Sequence, residues 1–376
     1  MQGDPAVDVR RDRGAAGAVT PEDVVALLDE ARRLGAAVRT DVFPFGEPPL
    51  AKVDRPVRRI DVRTCAGVLD HSPADLTVTA LAGTTLRELQ SALASAGQWL
   101  AVDPPEDLTL GQIVARNEWG ARRTGYGTVR DHLLGLRFAL ADGRTLRTGG
   151  RIVKSATGYD LHRLQVGAME TLGVALEATF RLRPRPPAAA TVAIERHSLA
   201  DAHAAAMSIR ALPDAPAALA VFAAPGAPAR CVARYEGHAA EVERAARSAG
   251  GSPVPDLLLP RDADGALVLR VACRPSKLLA SIDAAARALG EPASRLAIRA
   301  HPSIAIADVA RPLRDGEDPL ATLRDAAGAI PAGSVRLRRP FEDARPIRDP
   351  LAERVKRLFD PEGRLNPGVL LFASAS

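Results

Sequence analysis

Four glycine-bearing loops lie close together in the first half of the sequence, and their residue types suit the binding of an anion. They read LAGTTLREL (81–89), DPPEDLTLGQ (103–112), GARRTGYG (120–127) and GYDLHRLQVGAMETLGV (158–174). Glycine lets backbone amides approach a ligand closely, and a series of exposed amides can hold a group such as a pyrophosphate. Each loop taken alone is more simply a tight turn, but four in succession favour a binding site.

Arg122 and Tyr126, in the third loop, are the candidate catalytic side chains. A guanidinium binds a carboxylate or a phosphate through two N–H groups, and a tyrosine hydroxyl can hydrogen-bond a substrate or a cofactor. The alternatives are a surface arginine and a tyrosine that packs with its hydroxyl satisfied. The residues alone leave both alternatives open, and they identify no catalytic base.

Other classes of site have little support in the sequence. Cys65, Cys231 and Cys273 are far apart and form no CxxC, and the seven histidines form no HxH or HxxxH pair. A disulfide framework, an iron–sulfur cluster and a metal site are therefore not expected. Neither GxGxxG after a strand nor GxxxxGK[ST] occurs, so a Rossmann site and a P-loop are not supported.

Composition sets further bounds on the class of protein. The chain has 376 residues, 47% of them hydrophobic and 25% charged, and a formal net charge of +5. The basic residues are dispersed among acidic ones rather than clustered, so no nucleic-acid partner is predicted. No apolar run has the length of a transmembrane segment and the N-terminus is polar, which predicts a cytoplasmic protein.

The elements that position the four loops alternate between helix and strand. The pattern predicts helices at 20–35 and 84–97, and strands at 57–62, 76–82, 133–141 and 172–182. Residues 103–131 are too polar for a core strand and too rich in glycine for a long helix, so they are predicted to form a loop.

After the proline-rich boundary at 183–190 the pattern changes to a near repeat. Nearly two copies of a β-α-β-β-α-β unit are predicted between 191 and 338, forming one antiparallel sheet with helices on one face. A last helix is expected within 350–372.

The order of these motifs resembles the FAD-binding oxidoreductases of the vanillyl-alcohol oxidase (PCMH-type) family, and within it the FAD-binding E subunits of bacterial glycolate oxidases. The resemblance rests on DLTVTALAGTTLRELQ, GQWLAVDPPE, TLG, ARRTGYGTVRDHLLGL, and GYDLHRL followed by TLGV. It extends to FDPEGRLNPG near the C-terminus.

The resemblance implies an α+β fold, with two α/β subdomains that bind FAD and an α/β cap domain with an antiparallel sheet. The implied domains are 1–186 for FAD binding, 187–339 for the cap, and 340–376 for a segment that returns to the FAD domain. FAD is expected to bind non-covalently. The residues implied near the cofactor are Gly83, Thr84, Pro104, Thr109, Leu110, Gly111, Gln112, Gly120, Gly127, Asp160, Gly173 and Val174.

The sequence departs from the family pattern where the family brings small residues to the FAD pyrophosphate. The loop after the first strand reads VRTDVFPFGEPP (38–49) instead of a glycine-rich run, and Gln112 replaces a second glycine. Met169 and Glu170 stand in the small-residue loop before TLGV. Added side chains there exclude a phosphate sterically, and Glu170 adds repulsion.

The resemblance therefore predicts a subunit of a complex that oxidises a small 2-hydroxy acid, or that relays its electrons. The paired histidines of catalytic subunits that act on such acids are absent, so a relay or accessory role stands beside primary substrate oxidation as an open alternative. The implied partners are a companion flavoprotein and iron–sulfur subunits, through which the protein would reach a membrane. The alternative is a scaffold or regulatory subunit that keeps the fold and has lost flavin.

Overall fold

The computed structural model describes residues 20–42, 55–150, 160–255, 266–330, 333–339 and 350–367. Residues 43–49 of the stretch VRTDVFPFGEPP, and residues 158 and 159 of the fourth glycine-bearing loop, lie outside these ranges. The chain divides into two compact units. The first comprises Met1–Trp119, Gly127–Arg185 and Ile347–Ser376, and the second comprises Gly120–Tyr126 and Pro186–Pro346.

The helices of the described residues are, in chain order, α1 (Pro21–Arg33), α2 (Leu86–Ala94), α3 (Leu110–Arg116), α4 (Arg123–Tyr126), α5 (Val129–His132), α6 (Leu161–Gln165), α7 (Leu199–Arg210), α8 (Ala239–Ala249), α9 (Leu278–Ala288), α10 (Pro319–Ala329) and α11 (Pro350–Phe359).

The strands are β1 (Ala37–Thr40), β2 (Val57–Ile60), β3 (Val68–Ser72), β4 (Thr77–Leu81), β5 (Gln98–Trp99), β6 (Leu133–Ala139), β7 (Thr145–Gly149), β8 (Val174–Arg181), β9 (Arg183–Pro184), β10 (Ala188–Arg196), β11 (Ala218–Ala223), β12 (Ala229–Gly237), β13 (Ser252–Val254), β14 (Ala266–Ala272), β15 (Ala297–His301), β16 (Ile306–Pro312) and β17 (Ser334–Arg339).

Helices α1 and α2 begin where the sequence predicts, because each starts with a capping box. The Thr20 and Thr85 side chains accept from the backbone N–H three residues on, and Asp23 and Glu88 accept from the N-cap N–H in return. Each helix then buries one apolar face: Val24, Leu28 and Ala31 for α1, and Leu86, Leu89 and Leu93 for α2.

Two sheets form the core of the first unit. β1 and β2 pair in parallel, and β3, β4, β8, β6 and β7 form an antiparallel five-stranded sheet in that order. The apolar face of α1 packs with β1 and β2, whereas α2 and α3 pack with the five-stranded sheet. The predicted α+β fold with two α/β subdomains is confirmed.

The second unit is built on one antiparallel sheet, as the repeated pattern predicts, and β13 completes it to eight strands. Its order is β13-β10-β12-β11-β15-β16-β14-β17, so each half has the strand order fourth, first, third, second of a β-α-β-β-α-β unit. The two halves join where β11 pairs with β15. The helices bury a single apolar core against this sheet.

Residues 103–131 differ from the loop that their composition predicts. They contain the short helices α3, α4 and α5, of which α3 is buried along most of its length. Burial of backbone polar groups favours helix here, because a helix satisfies them within the segment. Within this stretch, Gly120–Tyr126 belongs to the second unit.

The C-terminal segment rejoins the first unit at its parallel strands. Val38 donates its N–H to the Arg364 carbonyl oxygen and pairs with Leu365 in a parallel bridge. Among the described helices, none combines the length and the apolar composition needed to cross a membrane.

Candidate functional site

The first turn of α3 contains four of the implied cofactor-binding residues, and its backbone N–H groups all have protein acceptors. Thr109 N donates to Gln112 Oε1 at 3.1 Å, and Gln112 N donates to Thr109 Oγ1 at 3.2 Å. Leu110 N and Gly111 N donate at 2.8 Å to the carbonyl oxygens of Thr84 and Ala82. In this arrangement the turn offers no N–H group to a phosphate.

Gln112 also closes the space between α3 and the end of β1. Its side-chain amide donates to the Asp41 carbonyl oxygen at 2.7 Å. A second glycine at this position would leave that oxygen without this donor. The glutamine that departs from the family pattern therefore joins α3 to the end of β1 by a side-chain hydrogen bond.

Gly83 and Thr84 are held by the loop that precedes β3. A Cβ on Gly83 would lie 2.3 Å from the Val62 carbonyl oxygen and 2.6 Å from that of Cys65. The Thr84 hydroxyl accepts from Gly67 N at 2.8 Å and donates to its carbonyl oxygen at 3.1 Å. Close packing against backbone oxygens therefore explains the glycine at 83, and two hydrogen bonds to Gly67 explain the threonine at 84.

A methyl group at Gly83 should therefore destabilise the fold. Because the obstructing atoms are backbone oxygens, we expect Gly83→Ala to lower the free energy of unfolding by about 3 kcal/mol or more. Gly150→Ala is the matched control, since a Cβ there meets nothing within 4 Å and the backbone needs no positive φ. Equal denaturant midpoints for the two variants would contradict the packing explanation.

The remaining implied cofactor residues lie in different surroundings. Gly127 has a φ of +85° and leaves room for Asp131, which caps α5. Gly173 packs against Phe138, and Val174 begins β8 in the core. The other three are Pro104 and Gly120, both buried, and Asp160, which is exposed at the start of α6.

Arg122 and Tyr126 converge on a carboxylate of the protein itself. Arg122 Nη2 and Nε lie 2.9 and 3.1 Å from Glu236 Oε1, and the Tyr126 hydroxyl donates to Glu236 Oε2 at 2.8 Å. Arg234 Nε donates to Glu236 Oε1 at 2.5 Å. All four residues belong to the second unit.

The Glu236 side chain is 1% exposed. Its burial alone would raise the pKa, but hydrogen bonds from Arg234, Arg122 and Tyr126 outweigh burial and hold the pKa below its usual value. A second carboxylate on the same sheet, that of Asp308, likewise binds Arg270 at 2.6 Å and Arg299 at 3.0 Å.

A different cluster forms where the end of β1 meets the turn at 169–173. Asn366 accepts from Thr40 N through Oδ1, and its Nδ2 donates to Thr40 Oγ1 and to the Met169 carbonyl oxygen, each at 2.9 Å. Lys356 Nζ donates to the Thr171 carbonyl oxygen at 2.6 Å. The C-terminal segment thus fixes the carbonyl groups of this turn.

Two acidic side chains lie in this cluster. Burial, together with the nearby charge of Asp41, raises the pKa of Glu170 to about 8, so this acid is neutral at pH 7. Burial also raises the pKa of Asp41, to about 6. The sequence analysis identified Glu170 and the stretch that contains Asp41 as departures from the family pattern, but no motif pointed to Glu236 or Lys356.

The turn at 169–173 is the place where the described residues suit an anionic group of FAD. Glu170, Leu172 and Gly173 are buried residues, and no acceptor is found within the described chain for their backbone N–H groups. Glu170 Oε2 is buried there and also has no hydrogen-bond partner. Buried polar groups without partners are rare and indicate a ligand, an ion or a water.

Other observations do not indicate a metal. No group of three or more His, Cys, Asp or Glu side chains with the arrangement of a metal site occurs in the described parts of the chain.

Comparisons with known proteins agree with the architecture. Residues 15–149 match the family of FAD binding domains. The chain is 39% identical to glycolate oxidase subunit GlcE of Escherichia coli over 168 residues, which are 43% of this chain and 48% of that protein. It is 37% identical to glycolate oxidase subunit GlcD of Bacillus subtilis over 121 residues, 32% of this chain and 26% of that protein.

Two further relatives extend the comparison. The chain is 38% identical to D-lactate dehydrogenase of Archaeoglobus fulgidus over 122 residues, 32% of this chain and 28% of that protein. A solved structure of alkyldihydroxyacetonephosphate synthase aligns with a TM-score of 0.68, at 17% identity, over 93% of this chain and 74% of that one. This likeness shows the fold.

The matched stretches cover about half or less of the curated relatives' lengths. They confirm the resemblance drawn from the motifs: the chain contains a PCMH-type FAD-binding domain and is related to FAD-linked oxidoreductases. The family match supports FAD as the cofactor.

Proposed function

We propose that this chain is the FAD-binding, electron-relaying subunit of a complex that oxidises a small 2-hydroxy acid, and that a companion flavoprotein oxidises the substrate. The relay role rests on one observation: Arg122 and Tyr126 both donate hydrogen bonds to Glu236. These were the candidate ligands for a substrate carboxylate, and their donors are already engaged.

The relatives support the rest of the proposal. A GlcE and a GlcD protein, both named as glycolate oxidase subunits, match the same chain, which is consistent with two related flavoproteins acting together. Bound FAD would supply the capacity to accept and pass on electrons. The protein's own contribution is to orient the cofactor and to exclude water from it.

The partners follow from the same reasoning. We infer a companion flavoprotein and iron–sulfur subunits as partners, and a small 2-hydroxy acid as the substrate of the complex. The chain would be cytoplasmic and would reach a membrane through its partners.

Anaerobic reduction tests this proposal. The purified chain should contain flavin that acid precipitation releases entirely into the supernatant, because FAD is held non-covalently. Glycolate or D-lactate added to the chain alone should leave the flavin absorbance oxidised, and addition of the companion flavoprotein should bleach it. Rapid bleaching of the chain alone would show primary substrate oxidation instead.

A second candidate function is a flavin-free scaffold or regulatory subunit. The observation that favours it is the first turn of α3, where all four N–H groups already have protein acceptors. A colourless chain that still joins the complex, and that gains no flavin absorbance when incubated with FAD, would establish this function.

A further inference from the structure

The backbone of the turn at 169–173 is held in an uncommon conformation by hydrogen bonds from the C-terminal segment. Met169 and Glu170 have φ values of +54° and +53°. These lie in the left-handed region, which residues other than glycine and asparagine rarely adopt. The Met169 and Thr171 carbonyl oxygens accept from Asn366 and Lys356. With these carbonyl groups engaged, the N–H groups of Glu170, Leu172 and Gly173 have no protein acceptor within the described chain.

The Glu170 carboxyl group adds one more unmatched polar atom to the same turn. Its Oε1 accepts from Ala175 N at 3.1 Å, and the nearby Thr40 hydroxyl opposes the rise in its pKa. Its Oε2 is buried and has no partner of hydrogen-bond geometry in the described chain. In its neutral form the group carries an O–H donor that needs an acceptor. Three N–H groups and one carboxylic O–H in this turn have no hydrogen-bond acceptor within the described chain. An anionic group bound there would supply acceptor oxygens for them.

The charged groups around Glu170 determine what its ionisation would do. Asp41, at the end of β1, is the nearest acid, and its partner Arg63 lies 3.5 Å away, itself bound to Asp61. On the other side, Lys356 is paired with Asp360. Neither cation is directed to Glu170, so an ionised Glu170 would repel an anion in this turn.

We propose that the 169–173 turn binds a phosphate group of FAD and that Glu170 donates a hydrogen bond to it as a neutral carboxylic acid. This inference rests on the proposed function and adds a cofactor-contacting residue to it. It also makes FAD affinity depend on proton binding at this residue.

The sign of that dependence follows from linkage. A phosphate beside Glu170 favours the protonated form, so FAD binding raises the pKa of Glu170 above its value of about 8 in the free protein. Between pH 7 and pH 8 Glu170 is mostly neutral and Asp41, whose pKa is about 6, is already ionised, so the affinity changes little. Above pH 8 the free protein must take up a proton to bind, so the Kd should rise by up to about tenfold per pH unit.

The test is a titration of the apo-protein with FAD, followed by flavin fluorescence, between pH 7 and pH 9.5, a range in which Asp41 stays ionised. The wild-type Kd should be flat to about pH 8 and then rise. Glu170→Gln keeps an N–H donor but has no proton to lose, so its Kd should be flat throughout. Asp41→Asn removes the neighbouring charge that raises the Glu170 pKa, so the rise should begin at lower pH.

Riboflavin is the control ligand, because it has the flavin ring of FAD but no phosphate group. Its affinity should show no dependence on Glu170, and thermal melting at each pH controls for unfolding. A rise in Kd that is the same in wild type and in Glu170→Gln would overturn the role of Glu170 and leave the proposed function intact. Failure of both proteins to bind FAD at every pH would overturn the proposed function as well.

Discussion

Glu236→Gln is expected to lower the free energy of unfolding by about 3 kcal/mol, because it removes the buried negative charge that two arginines and a tyrosine share. Glu236 accepts from Arg122, Arg234 and Tyr126, and its side chain is almost fully buried. Removing one partner of a buried ion pair leaves the other charges uncompensated, which is strongly destabilising. Chemical denaturation of the full chain measures the change.

Glu195→Gln is the matched control for that experiment. Glu195 lies in β10 of the same sheet and pairs with Arg230 at 3.4 Å, but its side chain is 61% exposed. An exposed ion pair of this kind contributes less than about 1 kcal/mol. If Glu236→Gln proved as stable as Glu195→Gln, the hydrogen bonds from Arg122 and Tyr126 to Glu236 would contribute little to stability, and the relay role would lose its main support.

Asn366→Gly is expected to destabilise the protein by roughly 3 kcal/mol. The substitution tolerates the φ of +42° at this residue but removes three side-chain hydrogen bonds, two to Thr40 and one to the Met169 carbonyl oxygen. Each buried group left without a partner costs about 1–3 kcal/mol. The thermal transition of the full chain should therefore fall by several degrees.

Asn117→Gly separates the loss of hydrogen bonds from the change in backbone preference. Asn117 ends α3 in the left-handed conformation, with a φ of 50°, and its buried Oδ1 has no hydrogen-bond partner in the described chain. Glycine suits this position, so the change in stability should stay below about 1 kcal/mol. Similar losses for both variants would mean that Asn366 acts only through its backbone.

These two residues show what joins distant parts of the sequence. Asn366 connects the C-terminal segment to β1 and to the turn at 169–173, across 326 and 197 residues. Glu236 connects β12 to the Gly120–Tyr126 segment, across 114 and 110 residues. In each case one buried side chain satisfies several groups that the local sequence leaves unmatched.

Much of the fold was predictable from local pattern. The pattern missed the short strands β1, β3, β5, β7, β9 and β13, but it placed α1 and α2 near their observed starts and predicted β2, β4, β6, β8 and the other strands of the second unit. These features depend on residues within a few positions of one another, so they are readable along the chain. The same reasoning missed the short helices between residues 103 and 131, because their burial, rather than their sequence period, favours helix.

The sequence by itself therefore determined most of the longer elements and their order, the repeat in the second unit and the resemblance to FAD-binding oxidoreductases. Only the tertiary structure decided which polar groups remain available for chemistry. The N–H groups of Thr109–Gln112 and the guanidinium of Arg122 look available in the sequence, yet all have protein acceptors. Glu170, which the sequence suggests only as an obstacle, lies in a buried turn with unmatched donors. The physical reason is that hydrogen-bond satisfaction and burial depend on partners far away in the chain, which no local pattern specifies.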